Sequence, residues 1–285
     1  EFRRVLFRSG LVFGRQYVAA AGELLKAITS GANACRNIGY GVQMSAVNYS
    51  RAETASDISG RSQELPAPPC PAPMSAPGSP SSGGASVPPP LLWSVLQQFV
   101  GSAWPDGNPA ELRAAAAAWR AMAGPLNSTS AEVAGARSAI SGQRIDEGPA
   151  MTAHIDGIGT GLTSVANSCA ALAASVEQYA AQVENTQQAI RGLCDRLGSI
   201  GGIVGTFFEF VHGHGLDEVH QIADEIKTVI AYLGSETDAA LQLLESAKQS
   251  VDSWVLGLEK SANKEFVDFF GEPVGTVLSS QFNQL

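Results

Sequence analysis

Apolar residues recur in steps of three and four along most of this 285-residue chain. Such steps keep side chains on one face of an α-helix. The clearest stripe occupies fourteen positions: Met151, Ile155, Ile158, Leu162, Val165, Cys169, Leu172, Val176, Tyr179, Val183, Thr186, Ile190, Leu193 and Leu197. At about 1.5 Å per residue, it predicts a helical rod roughly 70 Å long.

A second stripe lies before the first and predicts a partner helix. Its positions are Leu112, Ala115, Trp119, Met122, Leu126, Thr129, Val133, Ala136 and Ile140. Asn108 can cap the start of this helix, Pro109 suits its first position, and Glu111 lies three residues after the cap. Pro125 should kink the helix without necessarily ending it. The segment between them, residues 141–149, is short and polar and contains glycine. We therefore expect the two helices to form an antiparallel hairpin.

The chain before this hairpin predicts one more long helix and then a linker. In residues 11–60 two rows of positions recur every seven residues. The main row is Ile28, Cys35, Val42 and Tyr49, and the weaker row is Leu24, Gly31, Ile38 and Ser45. Residues 61–90 hold ten prolines among serine, glycine and alanine. That mixture cannot bury a core, so we expect an extended or disordered linker.

The two ends of the chain are less regular. Residues 1–9 include no initiator methionine and resemble a cloning or sequencing scar. Residues 201–285 predict a smaller helical segment made of two amphipathic helices, 216–233 and 236–258, separated at Gly234. This segment stops without a clear terminal signal, and we expect the chain to be truncated at both ends.

Composition favours an all-α fold and excludes several classes of partner. Aromatic residues make up only 7% of the chain while alanine is very common, a bias that suits close-packed helices. The net charge of −9 argues against a nucleic-acid partner, which needs clustered lysine and arginine. No apolar run reaches the roughly 18 residues of a membrane helix, so we expect no stable membrane insertion.

The segment that begins Trp104-Pro-Asp-Gly-Asn-Pro-Ala-Glu-Leu-Arg, with the alanine-rich run to Trp119, resembles the WXG-type helical hairpin at the front of actinobacterial toxin precursors. The resemblance covers residues 91–200 and continues more weakly to 285. It implies export by type VII secretion, a secreted or cell-surface destination, and a variable toxic domain downstream. Trp104 and Trp119 are candidates for partner contacts or for the core.

Residues 11–60 resemble the second half of a smaller hairpin of the same type. Tyr49 followed four residues later by Glu53 matches the family's export signal. Positions i and i+4 share a helix face, so a partner can read the ring and the carboxylate together. The alternative is a core tyrosine at a heptad position.

Two departures from the family pattern lie in the second hairpin. Tyr179 is followed by an acidic residue, Glu184, five positions later instead of four, so the signal spacing fails there. At the turn, the tryptophan of the family's Trp-x-Gly is replaced by Asp146 while Gly148 is kept. We therefore assign no groove-forming role to residue 146 and interpret Gly148 as a turn residue.

Candidate chemistry is sparse, and we expect no enzyme activity and no cofactor. His212, His214 and His220 lie near two acidic residues and form a weak candidate for a zinc site, because no second ligand cluster supports them. No Gly-x-Ser-x-Gly elbow is present. Cys169 falls within the apolar stripe, where a buried structural thiol is expected.

Three functions remain open at this point. The first is a non-catalytic secretion and interaction region that recognises the type VII machinery or a small helical partner. The second is a structural or surface coiled-coil protein, whose helices would associate only with themselves. The third is a pore-associated protein, which the acidic helical pattern supports least.

Overall fold

The structure, a computed structural model, describes the backbone of residues 2–78, 80, 86–144, 148–201 and 216–270. These residues form helices and no strands, which confirms the all-α prediction. The helices are α1 (Phe2–Ser56), α2 (Trp93–Val100), α3 (Pro109–Ser141), α4 (Gly148–Gly201) and α5 (Leu216–Phe270). Among the described residues, no helix carries an apolar stretch long enough to cross a bilayer.

Helix α4 carries the long apolar stripe and is the central element. Thirteen of its fourteen stripe positions are buried, and the remaining one, Leu193, is half-buried. Side chains beside the stripe are buried as well, among them Ala173, Ser175 and Ala180. The buried face is therefore wider than a two-helix seam, because α4 packs against more than one other helix.

Helix α3 begins as expected but is covered less deeply than its stripe predicts. The Asn108 side-chain oxygen accepts the backbone N–H of Ala110 at 3.1 Å, which satisfies a donor that the first helical turn leaves open. The helix continues through Pro125. Of the predicted stripe only Trp119 is fully buried, and Ala136 is exposed, so the stripe of α3 is covered less completely than that of α4. Its later half lies at the edge of the core.

The buried face of α1 differs from the predicted main row. Ile28, Cys35 and Val42 are only half-buried, and Tyr49 is 46% exposed. The buried face instead follows small residues and one leucine: Ala20, Leu24, Ala27, Gly31, Ala34 and Gly41. Small side chains allow neighbouring helices to approach closely, which places the larger residues at the margin of the contact.

An acidic side chain closes α1 at its C-terminal end. The carboxylate of Asp57 accepts the backbone N–H groups of Ser59, Arg61 and Ser62 at 2.7–2.9 Å. Gly60 has a φ of +67°, a conformation that favours glycine. The helix therefore ends at Ser56, four residues before the predicted limit. Hydrogen bonds from the hydroxyl groups of Ser59 and Ser62, followed by those from their backbone N–H groups, hold the pKa of Asp57 well below its usual range.

Helix α5 is continuous where we predicted two helices. The predicted break at Gly234 is wrong, since the helix runs without interruption from Leu216 to Phe270. A single glycine costs a helix only about 1 kcal/mol. The neighbours Leu233 and Thr237 are buried, and the Thr237 hydroxyl donates to the Leu233 carbonyl at 2.7 Å. Burial on either side of the glycine offsets its cost.

The contacts divide the chain into two units, of which unit 1 comprises residues 1–21, 79–122 and 169–248. In unit 1, three helices pack on α4. The Phe13 ring of α1 stacks on Tyr179 with centroids 3.9 Å apart. Arg120 of α3 pairs with Glu177 at 3.2 Å. The buried Ser175 hydroxyl donates to a backbone carbonyl of α5, that of Ala240, at 2.7 Å.

Unit 2 comprises residues 22–78, 123–168 and 249–285. Its core cluster joins Ala34 of α1 to Ile158 and Leu162 of α4, with half-buried apolar residues of α1 and α3 around them. The Ser130 hydroxyl of α3 donates to the Gly159 carbonyl of α4 at 2.9 Å. Within each unit, residues later in α3 meet residues earlier in α4, so the two helices run antiparallel there.

Candidate functional site

The predicted signal pair lies near the end of α1, in unit 2. Tyr49 and Glu53 are both exposed and lie one helical turn apart. Tyr49 is not a core side chain, because nearly half of it is exposed. The structure therefore places a ring and a carboxylate together at the surface, on one side of the helix.

The proline-rich segment returns to α1 between these two residues. The Ser50 hydroxyl donates to the Gln63 carbonyl at 3.2 Å and accepts the backbone N–H of Leu65 at 3.0 Å. Arg51 pairs with Glu64 at 3.6 Å. Leu65 is half exposed, and its backbone is bonded to the helical turn that carries the signal pair. Sequence reasoning missed this contact, because nothing in a proline-rich composition indicates where the segment docks.

Trp104 lies in unit 1, where its ring is almost fully buried. Its indole Nε1–H donates to the Val87 carbonyl at 2.7 Å, and the Val87 N–H donates to the Asp106 carbonyl at 2.8 Å. The Trp93 ring of α2 meets it edge to face at 5.6 Å, and the Arg191 guanidinium lies 5.7 Å from its centroid. Trp104 thus fixes the end of the proline-rich segment to the start of the hairpin.

The loop after Trp104 is held by a residue of α4 that the sequence analysis did not single out. The buried amide of Gln187 donates to the carbonyls of Pro105 and Gly107 at 2.7 and 2.8 Å. A buried amide needs such partners, since leaving it unpaired costs about 1–3 kcal/mol. Gln187 lies just outside the apolar stripe, so periodicity did not reveal it.

The other two candidates for partner contacts or turn formation lie at buried positions. Trp119 is buried in unit 1, and its Nε1–H donates to the Tyr17 hydroxyl at 3.2 Å. Gly148 is the first residue of α4 and is also buried. Its predicted role as a turn residue stays a prediction, because residues 145–147, including Asp146, lie outside the described residues.

Tyr179 and Glu184, where the signal spacing fails, are both engaged within unit 1. Tyr179 is buried, and burial followed by the nearby charge of Asp106 raises its pKa to about 12. Glu184 accepts a hydrogen bond from Arg113 of α3, which lowers the pKa of Glu184 and raises that of Arg113. Tyr179 and Glu184 are therefore less exposed at the surface than Tyr49 and Glu53.

A second tyrosine with an acidic residue four positions later lies on α5 and was missed. Tyr232 is 59% exposed, and Glu236 raises its pKa through its charge and a hydrogen bond. Glu236 also accepts a hydrogen bond from Gln182 of α4 at 3.2 Å. The four-residue spacing alone would have revealed the pair, and it supplies a matched comparison for Tyr49 and Glu53.

The residues with metal or thiol chemistry form no site in the described part of the chain. His212 and His214 lie outside it, while the His220 ring meets Phe99 edge to face at 5.3 Å. Among the described residues no cluster of three or more metal-binding side chains occurs. Cys169 and Cys194 are buried, and burial raises their thiol pKa to about 12 and about 11.

Comparison with known proteins shows what the chain is similar to. Residues 83–193 match the model of the WXG100-like domain. The chain is 31% identical over 283 residues to the outer membrane channel protein CpnT of Mycobacterium tuberculosis, and likewise to that of Mycobacterium bovis. It is 35% identical over 278 residues to Mav of Mycobacterium avium, which is named for a proposed NAD(+)–arginine ADP-ribosyltransferase activity.

These alignments cover 95–97% of the chain but only 33% of each relative. The chain therefore spans about a third of the length of the curated relatives it matches. No solved structure matches it. The matched domain begins near the Val87–Trp104 contact and includes α2, α3 and most of α4. Residues 83–193 thus match the WXG100-like domain, and the chain is similar along nearly its whole length to one region of these mycobacterial proteins.

Proposed function

We propose that this chain is a non-catalytic export and interaction region of a type VII-secreted toxin or effector, and that it acts through recognition of its helices. Its partner would be the secretion machinery or a small helical protein. The destination would be the cell surface or the medium. Tyr49 and Glu53 would form the export signal.

The names of the relatives support a function that is separate from any catalytic activity. One relative is named as a channel and another for an ADP-ribosyltransferase activity, yet both share the region that corresponds to this chain. A region common to proteins with such different names is better suited to a shared task than to either activity. Export is such a task.

The observation that carries the proposal is the surface position of Tyr49 and Glu53. Both are exposed on one side of α1, near the point where Asp57 ends the helix. A tyrosine ring and a carboxylate one turn apart offer a partner both apolar area and a charge-assisted hydrogen bond.

The test is an export assay in an actinobacterium with an active type VII system. The chain is expressed with its downstream region, and the exported fraction is measured at matched intracellular amounts. We expect Tyr49→Ala and Glu53→Ala each to lower the exported fraction at least tenfold. Glu53→Asp should keep part of the export, because it keeps the charge on a shorter side chain.

Tyr232→Ala is the matched control, because Tyr232 is an exposed tyrosine on a helix with an acidic residue at the same spacing. We expect it to export as the unchanged chain does. Normal export of Tyr49→Ala and Glu53→Ala would contradict the proposed signal. Loss of export in Tyr232→Ala alone would transfer the signal to α5.

A second candidate, self-association as a structural coiled coil, has one observation in its favour. In unit 2 the α3 residues Leu126, Val133 and Ile140 are only half-buried, so part of an apolar seam remains accessible. If this seam pairs two copies, Val133→Asp should abolish a dimer seen by light scattering after size exclusion. A chain that is monomeric at all concentrations would contradict this candidate.

A further inference from the structure

The proline-rich segment is fastened to α1 at two separate points within unit 2. At one end Leu65 donates its N–H to the Ser50 hydroxyl. At the other, the buried Asn33 side chain donates to the Met74 carbonyl at 3.0 Å and accepts the Met74 N–H at 2.9 Å. An amide that pairs with both polar groups of one residue fixes an extended backbone in place. We call residues 65–74 the strap.

The spacing of these contacts matches that of a polyproline II helix. Leu65 and Met74 bond to α1, and Pro68 and Pro71 are half-buried, while the strap residues between them are exposed. This three-residue period is that of polyproline II. At about 3.1 Å per residue, the nine residue steps from Leu65 to Met74 span about 28 Å. The 17 residue steps of α1 from Asn33 to Ser50 rise about 26 Å. The two lengths agree, with the strap antiparallel to α1.

The strap reaches α1 directly beside the signal pair. At about 100° per residue, Tyr49 and Glu53 lie about 100° and 60° to one side of Ser50 around the helix, while Arg51 lies about 100° to the other side. Ser50 is bonded to the first residue of the strap, and Arg51 pairs with Glu64, which immediately precedes the strap. The strap therefore borders the row formed by Tyr49 and Glu53, both of which are exposed.

The segment at this border is both apolar and acidic. Leu65 is 50% exposed, and Glu64 is exposed beside it. Pairing with Glu64 directs the Arg51 guanidinium toward the strap. The strap thus carries a half-exposed apolar side chain, Leu65, whose backbone is bonded to the residue that follows Tyr49 in α1.

We propose that the strap is part of the recognition surface of the signal. Leu65 and Tyr49 bind together in one apolar pocket of the partner, and Glu53 pairs with a cationic group of the same partner. This inference rests on the proposed export function of Tyr49 and Glu53. The partner is a protein subunit whose pocket pairs apolar walls with a lysine or arginine. Ser50 and Asn33 are positioning residues, because they act through the strap.

The test uses the same export assay with the full chain and its downstream region. Leu65→Ala should lower the exported fraction about tenfold, which corresponds to about 1.4 kcal/mol of recognition free energy. Leu91→Ala is the matched control, because Leu91 is also an exposed leucine but lies outside the strap. It should export normally.

Ser50→Ala tests the positioning role, and Ser50→Thr is its conservative partner because it keeps a hydroxyl. Hydrogen exchange of the Leu65 amide should be about tenfold faster in Ser50→Ala and unchanged in Ser50→Thr, and export should follow the same order. Asn33→Ala should speed exchange of the Met74 amide and lower export, although it lies about 26 Å along α1 from the signal. Far-UV circular dichroism should show unchanged helix content in every variant.

The outcomes separate this inference from the proposed function. If Tyr49→Ala and Glu53→Ala export normally, the proposed function itself is wrong. If those two variants fail while Leu65→Ala exports like Leu91→Ala, the signal stands and the composite surface is wrong. Unchanged exchange of the Leu65 amide in Ser50→Ala would show that the strap is not held at this point, and would overturn the inference.

Discussion

Truncation of one side chain in the α4 stripe tests whether that stripe is the core of unit 1. Leu172 is 1% exposed, and Leu172→Ala removes three carbon atoms from its buried side chain. The lost burial amounts to about 2 kcal/mol, and the remaining cavity adds to it, so we expect a loss of about 3–4 kcal/mol of unfolding free energy. Leu193→Ala is the matched control, since Leu193 carries the same side chain on the same stripe but is only half-buried. It should cost about 1 kcal/mol.

The assay is urea unfolding followed by far-UV circular dichroism. With a slope of about 2–3 kcal/mol per molar urea, Leu172→Ala should lower the midpoint by about 1–2 M, and Leu193→Ala by less than about 0.5 M. The slopes should stay equal, because the amount of surface exposed on unfolding does not change. Equal midpoint shifts for the two variants would refute the conclusion that Leu172 lies in the core while Leu193 lies at its margin.

Two further predictions follow from buried titratable groups in unit 1. The Tyr179 pKa is about 12 in the folded chain against an ordinary value near 10, so the unfolded chain loses this proton first and stability falls as pH rises from 10 to 12. Tyr179→Phe should remove about 2–3 kcal/mol of that fall, measured as unfolding free energy against pH; an unchanged pH profile would contradict it. Cys169 should react with iodoacetamide about a thousandfold more slowly in the folded chain than in urea, and Cys194 about a hundredfold, because burial raises their thiol pKa values. Mass spectrometry of the labelled peptides measures these rates. Equal rates in the folded and unfolded chain would argue against the burial of the two thiols.

The helices themselves were largely predictable, because their signals are local. The α4 stripe is buried at nearly every predicted position, and the Asn108 cap forms as expected. Periodicity in a long segment depends only on the helical repeat and on the existence of a core. The prediction failed at Gly234, where propensity indicated a break that packing on both sides overrides.

Burial of α1 and α3 was less predictable, because it depends on what packs against them. The main apolar row of α1 is half-buried, whereas alanines and glycines occupy its buried face. In α3 the apolar positions keep the helical spacing, yet Ala136 is exposed. A hydrophobic pattern ranks side chains by their own polarity, but close approach between helices favours small side chains regardless of polarity.

The candidate site was also predictable only in part. The sequence alone indicated the spacing of Tyr49 and Glu53 and the departure at Glu184, since both are distances along one helix. It did not indicate that Asn33 and Ser50 hold a strap, or that Gln187 holds the loop after Trp104. These are hydrogen bonds between side chains and the backbone of distant segments, and no local pattern encodes them.

The sequence by itself thus determined the class of fold, the central helix and the pair of residues proposed as a signal. Each follows from periodicity or spacing within one continuous helix. Only the tertiary structure decided which face of α1 is buried, that α5 is one helix, and that the proline-rich segment is fixed beside Tyr49. Those features depend on packing volume and on polar groups that find partners far away in the sequence, and these exist only once the chain is folded.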